Sequence, residues 1–452
     1  MKVNRIIKSA VCCILTVILF SGCSDISFGE QTILRPPRAT GDRAEIQTVI
    51  KEQAGSDYML KYPQSGDYRS AVTLFETGRN KNQYAVALYS TENNAKMNIS
   101  IISREDEKWK CLGSYNNSGT GVDRIIFEDL NNDGSDEILV GWSTYNAGQN
   151  NLSAYSIENG SVREMTIDET YTEIVISDIT QDKSEDIVLL SLRNDQTPST
   201  ARLLQYSEQE KRPIGKFSVI LDSDVTSFVN VQCGMVGDKR QCIIIDGGKN
   251  NGQLTTQVLY FDTENQQLLN PLVSKNESGS TLNSTTRKSA VTSKDINNDG
   301  VVEVPVVTQM SAPPDTDAGS ICSITSWKQI NPDDGSLKTI LNTVMNYTDG
   351  YYLIMPESWN GSVTGLSNTE NREMDFYVRD SENPVLGDIL LSICRFTRSD
   401  WDKADKGKYV MIDSVSSDGT ESVIAAQIYK TDKNKKLNIN KSDIKDLIRL
   451  IA

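Results

Sequence analysis

The chain has 452 residues, of which 46 are Lys or Arg and 61 are Asp or Glu, for a formal charge of -15 at pH 7. So acidic a chain lacks the basic footprint of a nucleic-acid binder, and no nucleic-acid partner is expected. It also contains no histidine, which removes Ser-His and Cys-His nucleophile pairs, imidazole acid-base catalysis and His-containing zinc or iron sites.

At the N-terminus Lys2, Arg5 and Lys8 precede an apolar run from Ala10 to Phe20, and LFSGC closes the run at Cys23. This is the layout of an export signal. It resembles the lipobox of bacterial lipoproteins, in which the cysteine is lipidated and becomes the mature N-terminus. The resemblance implies that residues 1–22 are a removed signal peptide, that Cys23 carries the lipid, and that the protein is anchored to a membrane outside the cytoplasm. Phe20 departs from the aliphatic residue usual three places before the cysteine. The alternative is an uncleaved anchor, but the apolar run is shorter than the ~20 residues a spanning helix needs. Cleavage removes three basic and no acidic groups, so 430 residues remain with a charge of -18. No second long apolar stretch and no strongly basic run occurs, so the lipid is expected to be the membrane contact. A chain of this length exceeds one ordinary core and calls for at least two domains or a repeat array.

Residues 23–70 read as a tether, stiffened by Pro36 and Pro37, followed by a short helix between Gly41 and Gly55 with Ile46, Val49 and Ile50 on one face. A repeat array follows over residues 71–346. The stretch RIIFEDLNNDGSDEILV places Asp129, Asn131, Asp133 and Glu137 around Gly134. Forty-nine residues on, EIVISDITQDKSEDIVL places Asp178, Thr180, Asp182 and Asp186 at the same spacing, with Lys183 where the glycine stood. A third copy, AVTSKDINNDGVVEVPV, supplies Asp295, Asn297, Asp299, Gly300 and Glu303. Each copy reads as strand, acidic turn, strand.

Carboxylates this close repel one another unless a cation neutralises them, and Ca2+ takes oxygen ligands from short loops of this kind. The backbone carbonyl of Ser135 or Val301 would complete the shell, beside a glycine that accepts an unusual backbone conformation. The alternative is a metal-free Asn-Asp-Gly hairpin turn. An EF-hand is excluded because the flanks are short Val- and Ile-rich runs without helical periodicity.

These loops resemble the FG-GAP and VCBS repeats of integrin-like β-propellers, whose D-x-[DN]-x-D-G-x-x-[DE] loops bind Ca2+ between two strands of a blade. The resemblance implies a mainly β fold: a five-bladed β-propeller with blades at about 71–117, 121–167, 171–222, 226–274 and 287–346. AVTLFETGRNKNQYAVALYS and FVNVQCGMVGDKRQCIIIDGG are then blades that have lost the acidic loop, the former keeping Glu76 and Asn80. A sixth blade follows only if LVSKNESGSTLNSTTRKS, read here as a long surface loop, conceals strands. The segments LRPPRATGDRAEIQTVI and LKYPQSGDYRSA are similar to the leading part of uncharacterised lipoproteins with degenerate FG-GAP blades.

Residues 347–452 read as a small C-terminal α+β domain. YYLIMPESW, EMDFYVRD, ILLSICRFTR, KYVMIDSVSS and SVIAAQIYKT are its strands, and Ile444, Leu447, Ile448 and Ile451 mark an amphipathic helix capped at Asn440 or Ser442. Trp359 and Trp401 suit core positions better than sugar platforms. Beyond Cys23 the cysteines are Cys111, Cys233, Cys242, Cys322 and Cys394. Cys233 and Cys242 either bridge a hairpin or are free thiols on strands.

Three functional classes remain. The first is a lipid-anchored, non-enzymatic module binding a protein or glycan, with Ca2+ structural. The second is an extracytoplasmic carbohydrate-active hydrolase or lyase, which needs two carboxylates about 5 to 9.5 Å apart, one with a raised pKa. It would gain support from acids gathered with Trp142 or Trp327 at a central channel. The third is an accessory subunit of a membrane complex.

Overall fold

The computed structural model describes residues 41–91, 96–146, 148–195, 197–237, 239–275, 281–379, 385–417 and 420–451. The expected signal peptide, Cys23 and the expected tether as far as Thr40 lie outside the described residues. The first element, α1, is Asp42–Ala54. Its acidic first turn and Lys51 in the last turn complement the helix dipole, and it stops at Gly55, whose φ is +84°. Ile46, Val49 and Ile50 form its buried stripe, packed on Ala85, Ala87, Tyr89, Ile102 and Trp109.

Six antiparallel sheets of four or five strands then follow in chain order. Sheet A holds Val72–Thr77, Asn82–Thr91, Met97–Glu105 and Lys108–Asn117, with Tyr58–Leu60 sharing the edge of Asn82–Thr91. Sheet B is the meander Gly121–Glu128, Glu137–Ser143, Asn150–Glu158 and Ser161–Tyr171. Sheet C is Glu173–Ser177, Asp186–Ser191, Thr200–Ser207 and Arg212–Ile220, and sheet D is Val225–Val236, Arg240–Lys249, Leu254–Asp262 and Gln267–Leu269. Sheet E runs Val304–Gln309, Ser323–Ile330, Leu337–Asn346, Tyr351–Ile354 and finally Ile448–Leu450. Sheet F orders Val363–Asn368, Glu373–Arg379, Leu386–Thr397, Thr420–Ile428 and Tyr409–Ser417.

The second strand of sheets A to D is apolar on both faces and almost wholly buried, as in Glu137–Ser143 and Asp186–Ser191. Such runs must be covered on both sides. The sheets meet this by stacking face to face. Val86, Leu88, Ile99 and Ile101 of sheet A meet Val122, Ile125, Ile138, Val140 and Trp142 of sheet B. Equivalent clusters join B to C, C to D, D to E and E to F.

At both ends of the stack a helix takes the place of a sheet. α1 covers the free face of sheet A, and α2, Arg398–Lys403, puts Trp401 on Val423 and Ala425 of sheet F. Among the described residues no buried cluster joins sheet A to sheet F. The expected radial closure of a propeller is therefore replaced by an open stack with helical caps, because the faces that would seal the ring are already covered.

Three further expectations are corrected, and the alternative left open for Cys233 and Cys242 is resolved. The boundary at 346/347 falls inside sheet E, because Tyr351–Ile354 pairs with Leu337–Asn346, and sheets E and F share one core. The segment around 272–289 is not a surface loop throughout. It contains the hairpin Ser274–Lys275 with Thr281–Leu282, and Thr285, Arg287, Val291 and Ser293 are buried. The C-terminal helix shrinks to one turn, α3, Ile444–Leu447, after which Ile448–Leu450 pairs with Tyr351–Leu353. An open sheet edge outcompetes helix extension for a β-branched tail, and Asn440 and Ser442 bond the Asp443 carboxylate instead of capping backbone amides. Cys233 lies opposite Ile243, whereas Cys242 lies opposite Gly234. The pleat sends the two thiols to opposite faces, so they do not bridge, and all five described cysteines are free.

Candidate metal centre

The three acidic loops belong to sheets B, C and E; the first two lead into the buried strands Glu137–Ser143 and Asp186–Ser191, and the third into the edge strand Val304–Gln309. Their backbones coincide: Asn132, Gln181 and Asn298 have φ of +58°, +59° and +61°, and Gly134, Lys183 and Gly300 follow at +88°, +75° and +85°. The first aspartate closes each loop. Asp129 accepts from the amides of Asp133 at 3.2 Å and Gly134 at 2.9 Å. Asp178 accepts from Asp182 at 3.0 Å and Lys183 at 2.9 Å, and Asp295 from Asp299 at 3.1 Å and Gly300 at 2.9 Å. The middle aspartate of each bonds two residues on, Asp133 to the amide of Ser135, Asp182 to Ser184 and Asp299 to Val301. Asn131 and Asn297 accept from the amides of Asp133 and Asp299.

The last acid of each loop is buried and turned back into it. Glu137 accepts from the amide of Leu130 and the side chain of Asn131, Asp186 from the amide and hydroxyl of Thr180, and Glu303 from the amide of Ile296. A further partner comes from the strand that pairs with the one leaving the loop, at the position opposite this acid. Gln205 donates to Asp186 at 3.0 Å and Asp182 at 3.3 Å, and Gln329 to Glu303 at 2.8 Å and Asp299 at 2.9 Å. Ser156 occupies the same place beside Glu137. Spacing within the motif could not reveal these residues, which lie 19 to 26 positions away and are brought in by strand register.

Burial pushes the Glu137 carboxyl up to about 7 against the hydrogen bonds from Leu130 and Ser156, with the charges of Asp133 and Asp129 adding to the rise. Asp186 is pushed up to about 6, again by burial first, and Glu303 is raised by burial with Asp299 and Asp295 beyond it. These are anionic sites whose own surroundings oppose their charge.

In the third loop one carboxylate oxygen each from Asp295, Asp299 and Glu303 lie within 4.8 Å of one another. Two oxygens on the same Ca2+, each at about 2.4 Å, can be at most about 4.8 Å apart, a limit that the spacing of this set meets. Asp129, Asp133 and Glu137, and Asp178, Asp182 and Asp186, do not converge to that extent. Ser135 and Val301 take part through their amides, to Asp133 and Asp299. Each loop also touches a neighbouring sheet. Asn132 donates to the carbonyl and hydroxyl of Lys183 and Ser184, Asp136 donates its amide to Thr77, and Gln232 of sheet D donates to the carbonyl of Ser293. Trp142 and Trp327 are fully buried between sheets and line no channel. Trp359 and Trp401 are likewise buried.

Lys183 adopts the conformation that glycine takes in the other loops, a left-handed state that costs a side-chain-bearing residue about 1–2 kcal/mol. Lys183→Gly is expected to stabilise the protein by about 1 kcal/mol, part of the relief being offset by glycine's greater freedom when unfolded. A melting temperature at or below wild type would show that the loop carries no such strain.

No protein-family model matches the chain, and no curated protein matches it. Solved structures of low similarity include the periplasmic gluconolactonase PpgL of Pseudomonas aeruginosa, 14% identical over 75% of this chain and 89% of that one, with a TM-score of 0.29. Saccharomyces cerevisiae Sqt1 is 9% identical over 83% of this chain and 99% of that one, at 0.29. The Dos1 propeller is 11% identical over 82% and 81%, at 0.27. At these scores the likenesses carry no argument about the site. Among the described residues, no helix is long and apolar enough to cross a membrane.

Proposed function

We propose that this chain is a lipid-anchored extracytoplasmic protein whose FG-GAP-like loops hold Ca2+, and that it serves as a non-enzymatic binding or scaffold module for a protein or glycan. The observation that supports this most is the convergence of Asp295, Asp299 and Glu303 within 4.8 Å, in a loop whose hydrogen bonding recurs at Asp129 and Asp178. In this reading the metal neutralises the buried acids and fixes the loops that touch adjacent sheets, so that it sets the angles of an open stack. Cys23 supplies the anchor.

The test is the joint dependence of stability on pH and calcium. Glu137 and Asp186 titrate at about 7 and about 6 when folded, above their ordinary 4.5 and 3.8. The folded state therefore binds more protons than the unfolded state between these limits. Stability in chelator is expected to fall as pH rises from about 4 to about 7. Calcium should cancel that fall, and at about 100 times its dissociation constant each site adds about 2.7 kcal/mol. Asp299→Ala should remove the third loop's share of the calcium effect while leaving the pH slope in chelator. Thermal melts at pH 5 and pH 7, with millimolar Ca2+ and with chelator, decide it. Melting indifferent to calcium at pH 7 would make the three loops ordinary turns.

A further inference from the structure

Lysines concentrate near the C-terminus of this acidic chain, and the fold brings Arg379 beside two of them. Residues 430–445 carry Lys430, Lys433, Lys435, Lys436, Lys441 and Lys445 against Asp432 and Asp443, in a chain whose net charge is -15. All six lysines are exposed and none takes part in an ion pair among the described residues. Two nearby carboxylates accept hydrogen bonds from neutral donors. Asp388 takes the Thr431 hydroxyl at 2.5 Å, and Asp443 takes the Asn440 amide and the Ser442 hydroxyl. Asp432 and Glu357 remain exposed beside the patch.

Lys433 and Lys436 line a cleft of about 480 Å³ with Arg379, Asn434 and Ser362, Asp388 being the acid among the described residues of the wall. The cleft is built on a fixed frame. Thr431 and Asn438 exchange two hydrogen bonds across the base of loop 431–438, and the Trp359 indole donates to the carbonyl of Leu437 at 2.8 Å. Leu437 and Ile439 are buried beneath it. The Arg379 amide is bonded to the carbonyl of Ser362 at 2.8 Å, which holds the end of strand Glu373–Arg379 over the cleft.

We infer that this cleft binds a phosphate-bearing anion. A guanidinium fork and two ammonium groups offer charge-assisted donors to phosphate oxygens, with the Asn434 amide and Ser362 hydroxyl able to add neutral ones. The volume exceeds a bare phosphate and leaves room for its ester substituent. Val385, 61% exposed at the rim, gives that substituent an apolar surface. The inference does not depend on the calcium reading.

The test is calorimetric titration of the full-length protein in calcium-free buffer with two probes: pyrophosphate, and glycerophosphoglycerol as the diester of a free lipid headgroup. Binding of pyrophosphate alone identifies a soluble phosphate ligand, and binding of the diester identifies a headgroup-type ligand; either supports the site. The double variant Lys433→Glu, Lys436→Glu should lose about tenfold or more in affinity with an unchanged melting temperature, whereas Lys338→Glu on sheet E should bind like wild type. Absence of binding for both probes, or equal affinity in the double variant, would overturn the assignment.

Discussion

Asp246→Ala is expected to destabilise the protein by about 3–5 kcal/mol, the range for a buried ion pair that loses one member. Asp246 and Arg287 are both fully buried, and their side chains meet at 2.9 Å. The carboxylate also accepts from the Thr256 hydroxyl at 2.6 Å, the Ser293 amide at 2.7 Å and hydroxyl at 2.9 Å, and Asn230 at 3.1 Å. Arg287 spends its remaining donors on Val291, Thr285 and Thr256. Burial lowers the Arg287 pKa, with Asp246 opposing that fall. Asp246→Ala would leave a guanidinium in the core without a counter-charge. Denaturant titration should show an earlier midpoint, and Asp246→Leu combined with Arg287→Met should recover part of the loss, because it removes the stranded charge as well. A single variant within about 1 kcal/mol of wild type, or a double variant worse than the single, would contradict this account.

The same pair explains why part of the chain could not be read from its residues. Residues 283–293 are rich in Ser and Thr, a composition that reads as a surface loop, yet Asp246, 41 positions before Arg287, draws them against sheet D. Burial here is decided by a partner that local composition does not show. The acidic loops were legible because each keeps its acids and amides within nine residues, and their backbone persists even where Lys183 replaces glycine. Helix α1 was legible because Ile46, Val49 and Ile50 recur at helical spacing. The tail failed for the converse reason: Ile444, Leu447, Ile448 and Ile451 fit a helix, but Tyr351–Leu353 offers a free edge that only the folded sheet presents. Gln205 and Gln329 were hidden in the same way, since register alone brings them to the acids. Closure of a ring rests on the angles between sheets, for which no motif in the chain is a signal.

Gly141→Ala should be comparably damaging, by about 2–6 kcal/mol, although it adds a single methyl group. Gly141 lies in the buried strand Glu137–Ser143, where a Cβ would collide with the Tyr171 hydroxyl oxygen and come within 3.2 Å of an Asp123 carboxylate oxygen. Tyr171 is fully buried and cannot simply withdraw. Its hydroxyl donates to Asp123 at 2.7 Å, while Asp123 also receives Arg124 at 2.8 Å and Ser65 at 2.6 Å. Burial, reinforced by Asp123, holds the phenol neutral and therefore a donor. Making room for the methyl group costs about 1–3 kcal/mol of overpacking, and breaking the buried hydrogen bond adds about 1–3 kcal/mol. Tyr171→Phe removes the clashing oxygen and leaves Asp123 with its other two partners. Alone it should cost about 1 kcal/mol, but added to Gly141→Ala it should be neutral or stabilising. That reversal is the measurement of choice, because a merely additive loss in the double variant would mean that the methyl group and the hydroxyl never meet.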